Sequence, residues 1–234
     1  MGVLIFMKKI LLSFTKIEAF LLLFSIFTIT ATFFAFDGEN VLAMIASLVG
    51  VIAIIFCAKG NPIGQALFIL FGLMYGYISI TYAYWGEMLT YLGMSVPMSI
   101  YSLVTWLKHP YTSSDLSEVK INTISKKDII LLFPLTVTVT VAFYFILKYL
   151  GTSNLLVSTF SVSTSFAAVY LTSKRCPYYA LAYALNDLVL IVLWVLASIN
   201  DSSYVSVAAC FSVFLLNDIY GFFNWLKMKK IQEN

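Results

Sequence analysis

Eight runs of about twenty apolar residues, so closely spaced that little chain separates them, decide the class of this protein before any motif is read. An α-helix rises about 1.5 Å per residue, so roughly 20 residues cross a hydrocarbon core of ~30 Å. The runs predict spans at Glu18–Phe36, Val41–Ala58, Pro62–Tyr84, Gly86–Leu107, Asp128–Leu150, Asn154–Ser173, Pro177–Ile199 and Tyr204–Leu226. Only 11% of the 234 residues are charged and 61% are hydrophobic, whereas a soluble domain carries about 25% charged side chains. The expected class is all-α integral membrane, with the lipid bilayer as its solvent. The first span follows Lys8, Lys9 and Lys16, but it is long, rich in phenylalanine and lacks a small-residue cleavage site, so it reads as retained.

Charge sets the expected orientation. Of the 14 Lys and Arg residues, all but Lys148 fall on one side when counted loop by loop: Lys8, Lys9, Lys16, Lys59, Lys108, Lys120, Lys126, Lys127, Lys174, Arg175, Lys227, Lys229 and Lys230. The positive-inside rule then places both termini in the cytoplasm of a multi-pass plasma-membrane protein. Asp37, Glu39, Glu87 and Asp201 are assigned to the opposite loops. The net charge of +3 is spread over separate segments, which gives a nucleic acid no basic face to bind.

The chain repeats itself. Ile100-Tyr101-Ser102 and Trp106-Leu107-Lys108 match Ile219-Tyr220-Gly221 and Trp225-Leu226-Lys227 at one offset, which also sets Cys57 on Cys176. Spans 3 and 7 each open on a proline, Pro62 and Pro177, where the missing N–H costs little. Spans 2–4 therefore correspond to spans 6–8 in parallel orientation, giving a 3+1+3 repeat with one extra N-terminal helix. The expected divisions are 1–36, the N-terminal segment and first span; 37–108, the first triple-helix unit; 109–150, a loop and linker span; 151–226, the second unit; and 227–234, the tail.

Ionisable residues deep in a membrane cost about 2.5–3.5 kcal/mol and mark interiors or watery cavities. Asp187 and Asp218 qualify, each preceded by asparagine. Asn186-Asp187 and Asn217-Asp218 either bond the hydroxyls of a solute or glue helices together. Asp187 and Trp194 share a face of span 7, and Asn217, Tyr220, Gly221 and Asn224 form an i, i+3, i+4, i+7 stripe on span 8. Amides suit ribose hydroxyls or a carboxamide, and Trp and Tyr rings suit a planar, cationic base. Gln65, near the start of span 3, joins these as a candidate. Trp85, Trp106 and Trp225 lie at helix ends, where an interfacial belt is expected. Gly72 and Gly76 offer a seam for close helix contact, the tyrosines at 75, 77, 82 and 84 either line a pathway or form an outer belt, and Pro97 permits a kink in span 4.

Catalytic, phosphate-binding and metal motifs are missing, so neither a cofactor nor a metal is expected. Cys57, Cys176 and Cys210 lack CxxC spacing and read as small packers. A membrane-embedded enzyme using Asp187 and Asp218, or a scaffold subunit needing a partner, are the alternatives from other classes.

The segments Gln65-Ala-Leu-Phe, Tyr91-Leu-Gly-Met, Asn186-Asp-Leu-Val-Leu-Ile-Val-Leu-Trp194 and Asn217-Asp-Ile-Tyr-Gly-Phe-Phe-Asn-Trp225 resemble the PnuC family of nicotinamide riboside transporters. That resemblance implies a SWEET-like helix arrangement, often a homotrimer, and facilitated diffusion of a dephosphorylated vitamin precursor trapped by a cytoplasmic kinase. Other branches of the family imply thiamine, riboflavin or deoxynucleosides as solutes.

Overall fold

The computed structural model describes residues 14–81, 85–112 and 115–234. Among them eight helices are long and apolar enough to span a membrane: α1 (Lys16–Asp37), α2 (Val41–Ala58), α3 (Ile63–Thr81), α4 (Trp85–Leu107), α5 (Lys126–Tyr149), α6 (Leu155–Ser173), α7 (Tyr178–Ser198) and α8 (Tyr204–Glu233). Tyr82 and Tyr84 of the tyrosine run, like Lys8 and Lys9, lie outside the described residues. Helix α8 runs past the expected Leu226 because Lys227, Lys229 and Lys230 continue it beyond the apolar stretch, with Lys229 and Glu233 paired at 3.6 Å.

Local chemistry fixes the starts. Thr15 and Glu18 form a capping box for α1, and Ser125 and Asp128 form one for α5. Asn40 caps α2 by accepting from the Ala43 N–H at 3.0 Å. Asp128 also pairs with Lys174 at 2.7 Å, tying α5 to the end of α6, and that hydrogen bond holds the Lys174 ammonium above the ordinary lysine range.

Helix α1 packs on α2 and α8 through Glu18, Ser25, Ile29 and Phe33, and turns Phe20, Leu23 and Phe27 outward. Three polar contacts hold it. Glu18 accepts from Lys59 Nζ at 3.1 Å and from the Tyr220 hydroxyl at 3.0 Å, while Asn217 Nδ2 donates to Ser25 Oγ at 2.9 Å. Helix α4 is not regular: Leu89–Ser95 is a π-helical turn, followed by Val96 and Pro97. A π-turn carries the extra residue that lets a proline enter without leaving its helix broken, and it shifts the face presented by the residues before it. The interruption that Pro97 permits in span 4 is met by this π-turn. The Gly72–Gly76 seam meets α4 at this turn, since a Cβ on either glycine would press on Val96 or Leu92.

The closest approach of a glycine to another helix's backbone is elsewhere. A Cβ on Gly64 would lie 2.6 Å from Cys57 N and 2.8 Å from Ala53 O, so α3 rests on the backbone of α2. Gly64→Ala is expected to cost about 1–3 kcal/mol of overpacking, read as a fall of several degrees in the unfolding midpoint in detergent. An unchanged midpoint would show that α2 and α3 separate freely.

The loop after α4 holds a short antiparallel hairpin, Pro110–Thr112 with Asp115–Val119. It forms because its backbone finds partners across the lysine-bearing end of the bundle. Val119 N–H donates to Gly60 O and Asn122 N–H to Arg175 O, both at 2.9 Å, and Gln232 of α8 donates to Val119 O at 3.1 Å. The hairpin straps the α2–α3 turn, the α6–α7 turn and the α8 tail together.

Those two turns correspond position by position. Lys59-Gly60-Asn61-Pro62 follows the end of α2 as Lys174-Arg175-Cys176-Pro177 follows the end of α6, and φ is left-handed at both Gly60 (+66°) and Arg175 (+56°). In this register Cys57 matches Thr172. The offset carried by Trp106 and Trp225, which matched Cys57 to Cys176, is longer by about one helical turn, so the turns and the tryptophans do not share one register.

Candidate functional site

Trp106 and Trp225, expected at a lipid interface, are fully buried (0% exposed) in the bundle. Their polar N–H groups need acceptors once buried. Trp106 Nε1 donates to Thr172 O at 3.0 Å and Trp225 Nε1 to Cys57 O at 2.8 Å, the two matched positions of α6 and α2. The indoles sit 5.3 Å apart, flanked by Tyr179. One layer inward, Phe68 and Tyr183 stack at 6.2 Å with 13° between their planes. These two aromatic layers close the molecule at its lysine-bearing end.

Above them lies a cavity of about 1030 Å³, its mouth included, between α3, α4, α6, α7 and α8. Asn186, Asp187 and Trp194 of α7 line it together with Asp218 of α8, so the structure brings together three of the sequence-based candidates and the second deep acid. Asn186 Oδ1 accepts from Thr164 and Ser165 hydroxyls at 2.8 and 2.9 Å, which leaves its NH2 as the donor end. Asp187 is 97% buried, its exposure being 3%. Its carboxyl meets that of Asp218, and its Oδ2 has no hydrogen-bond partner; neither has Trp194 Nε1. Buried polar atoms without partners cost about 1–3 kcal/mol each, so these two mark where an occupant would bond.

The other four candidates stand outside the lining. Asn217 bonds Ser25 and Val213 O, Tyr220 bonds Glu18, Asn224 donates to Ala58 O at 2.9 Å, and Gln65 donates to Cys57 Sγ at 3.1 Å. The α8 stripe thus faces α1 and α2, not the cavity. Of the tyrosine run, Tyr75 is buried and bonded to Ser47 at 2.9 Å, and Tyr77 faces outward.

Sequence reasoning missed three contributors. Ser158, Ser161 and Ser165 form an i, i+3, i+7 stripe on α6 along the cavity wall, and Thr90, Ser95 and Ser99 line it from α4. Glu87, taken as a loop charge, lies in the first turn of α4 and lines the cavity too. Its signal was the short polar face Glu87, Thr90 and Tyr91 at helical spacing, obscured by the π-turn that follows. Among the described residues no group of His, Cys, Asp or Glu is placed to hold a metal.

The cavity continues toward the end opposite the lysines. Gly86, Glu87, Thr152 and Trp194 are shared with a vestibule of about 1000 Å³, and Glu87, Tyr91 and Trp194 with a second of about 900 Å³ that reaches Asp37 and Asp201. Trp194 and Tyr204, with ring centroids 5.3 Å apart and planes tilted by 34°, lie between them. The site is open on that side and plugged on the other.

Comparison with known proteins places this architecture. A solved structure, the crystal structure of the vitamin B3 transporter PnuC, shares the fold, with a TM-score of 0.80 over 94% of both chains at 23% identity. The nicotinamide riboside transporter PnuC of Neisseria mucosa is 27% identical over 206 residues, 86% of this chain and 78% of that protein. Its namesake from Haemophilus influenzae is 24% identical over 192 residues, 82% of each chain. The family described as nicotinamide mononucleotide transporter matches residues 40–227, and since that match takes in α2 through α8, this chain belongs to that family of membrane transporters and not to an enzyme family.

Proposed function

We propose that the protein takes up nicotinamide riboside by facilitated diffusion, leaving it chemically unchanged. The observation that carries this reading is the acidic lining of the cavity. Asp187, Asp218 and Glu87 line it, and no Lys, Arg or His does. A cationic pyridinium is favoured beside carboxylates and aromatic faces. A mononucleotide would bring a phosphate of about −1.5 to −2 charge into a place with no basic partner. The family description names the mononucleotide, but the chemistry of the lining favours the riboside, as do the names of the two relatives. In this reading the solute bonds Asn186 and Asp187 and stacks on Trp194, while Asn217, Tyr220, Asn224 and Gln65 hold the helices that shape the cavity.

The protein resides in the plasma membrane with both termini cytoplasmic, which makes the plugged end the inner one and the cavity outward-facing. The lysine asymmetry supports this orientation. The two triple-helix units are related by rotation about the membrane normal, and the matched turns support that relation. Assembly as a homotrimer belongs to the same proposal through the resemblance alone. The test is uptake into proteoliposomes of radiolabelled nicotinamide riboside, nicotinamide mononucleotide, thiamine and riboflavin. Saturable uptake of intact riboside, with the mononucleotide ignored, is the expected result. Preference for the mononucleotide, or for either other vitamin, would sink the assignment.

A further inference from the structure

We propose that Glu87 is the residue that selects solutes by charge, a carboxylate at the junction of the vestibules and the central cavity which an entering cation meets before Asp187 and Asp218. The proposal rests on the reading of the cavity as a carrier site for a cationic aromatic solute and adds to it the residue that sorts cation from neutral.

Position is the first argument. Glu87 and Trp194 line the central cavity and both vestibules, so each of these routes inward runs between that carboxylate and that indole. The α4 turn bearing Glu87 is held in place, because a Cβ on the neighbouring Gly86 would lie 2.6 Å from Leu147 of α5. Chemistry is the second. Among the described residues Glu87 takes part in none of the ion pairs, which fall on Glu18, Asp128 and Glu233. No Lys, Arg or His lines any of the three spaces. Among the described residues the Glu87 carboxyl therefore has no cation in the cavity wall to pair with, and it is open to a passing one. A third, separate observation points to an occupant deeper in: Asp187 Oδ2, on a residue 97% buried, reaches no partner in the cavity wall. A cation drawn past Glu87 arrives where an unpartnered carboxylate oxygen and the unpartnered Trp194 N–H wait, with Trp194 itself common to both stages.

Two probes of nearly equal shape separate charge from fit: 1-methylnicotinamide, a pyridinium cation, and nicotinamide, its neutral parent. Binding of each to the purified full-length protein is read from quenching of tryptophan fluorescence. The wild type is expected to bind the cation at least tenfold tighter, Glu87→Gln to lose about tenfold in affinity for the cation while holding nicotinamide within twofold, and Glu87→Asp to keep the preference. The ratio of the two affinities within one variant is insensitive to the fraction of protein that is folded. A Gln variant that keeps the wild-type ratio would assign selection to Asp187 and Asp218 and overturn the proposal. Equal weakening of both probes, or loss of both, would make Glu87 a support for the cavity and overturn it as well, and so would a wild type indifferent to charge. Failure of nicotinamide riboside uptake with charge-selective binding intact would fall on the transport reading alone.

Discussion

Trp225→Ala is expected to destabilise the protein by about 3–5 kcal/mol, the range for deleting a fully buried large aromatic side chain. The reason is local and double. The indole fills the layer that closes the lysine-bearing end, against Trp106 and Tyr179, and its N–H is bonded to Cys57 O. Alanine empties the layer and leaves the Cys57 carbonyl with its backbone bond from Gly60 N–H alone. Trp225→Phe is intermediate, since it keeps a ring but loses the hydrogen bond and part of the indole's volume, at a cost of about 1–3 kcal/mol. Thermal unfolding in detergent should order the three as wild type, Phe, Ala, with a fall of the order of 10 °C for Ala. An alanine variant as stable as the wild type would mean that the layer is loosely packed.

The second large effect is on affinity. Asp187→Leu removes the buried carboxyl from the cavity, and a hydrogen bond to a charged group contributes about 1.5–3 kcal/mol, so apparent affinity for nicotinamide riboside should fall roughly 10- to 100-fold. Asn217→Leu is the matched control. Its amide bonds Ser25 across to α1, so that variant should lose stability and keep its affinity. Uptake kinetics in proteoliposomes decide between them. If Asp187→Leu retains wild-type affinity while Asn217→Leu loses it, the solute sits against α1 and not in the central cavity.

These contrasting expectations show what the sequence could and could not say. Spans were legible because apolar runs of the right length have few alternatives in lipid; α2 occupies Val41–Ala58 as read from the sequence. The polar face of α7 was legible because Asn186, Asp187 and Trp194 share it under plain helical periodicity. The α8 stripe was equally periodic, yet periodicity says that a face turns inward and not what it meets there. Ser25 and Glu18 of α1 claimed it, over sequence distances no local pattern reports. The two tryptophans at helix ends obeyed the composition rule for an interfacial belt, and the rule lost to the acceptors that Thr172 O and Cys57 O supply inside. Glu87 escaped because a π-turn resets the helical phase, and a strict 3.6-residue count cannot carry a face through it.

The crossed indole bonds tie distant parts of the chain together. Neither tryptophan finds its acceptor among its sequence neighbours: Trp106 of α4 bonds a carbonyl at the end of α6, and Trp225 of α8 one at the end of α2. Each acceptor already takes a backbone N–H, from Arg175 and from Gly60, so what the crossing satisfies is the indole donor. Neither α4 nor α8 can slide along its axis without stranding a buried N–H, and the two bonds thereby fix the register of helices that no loop connects directly.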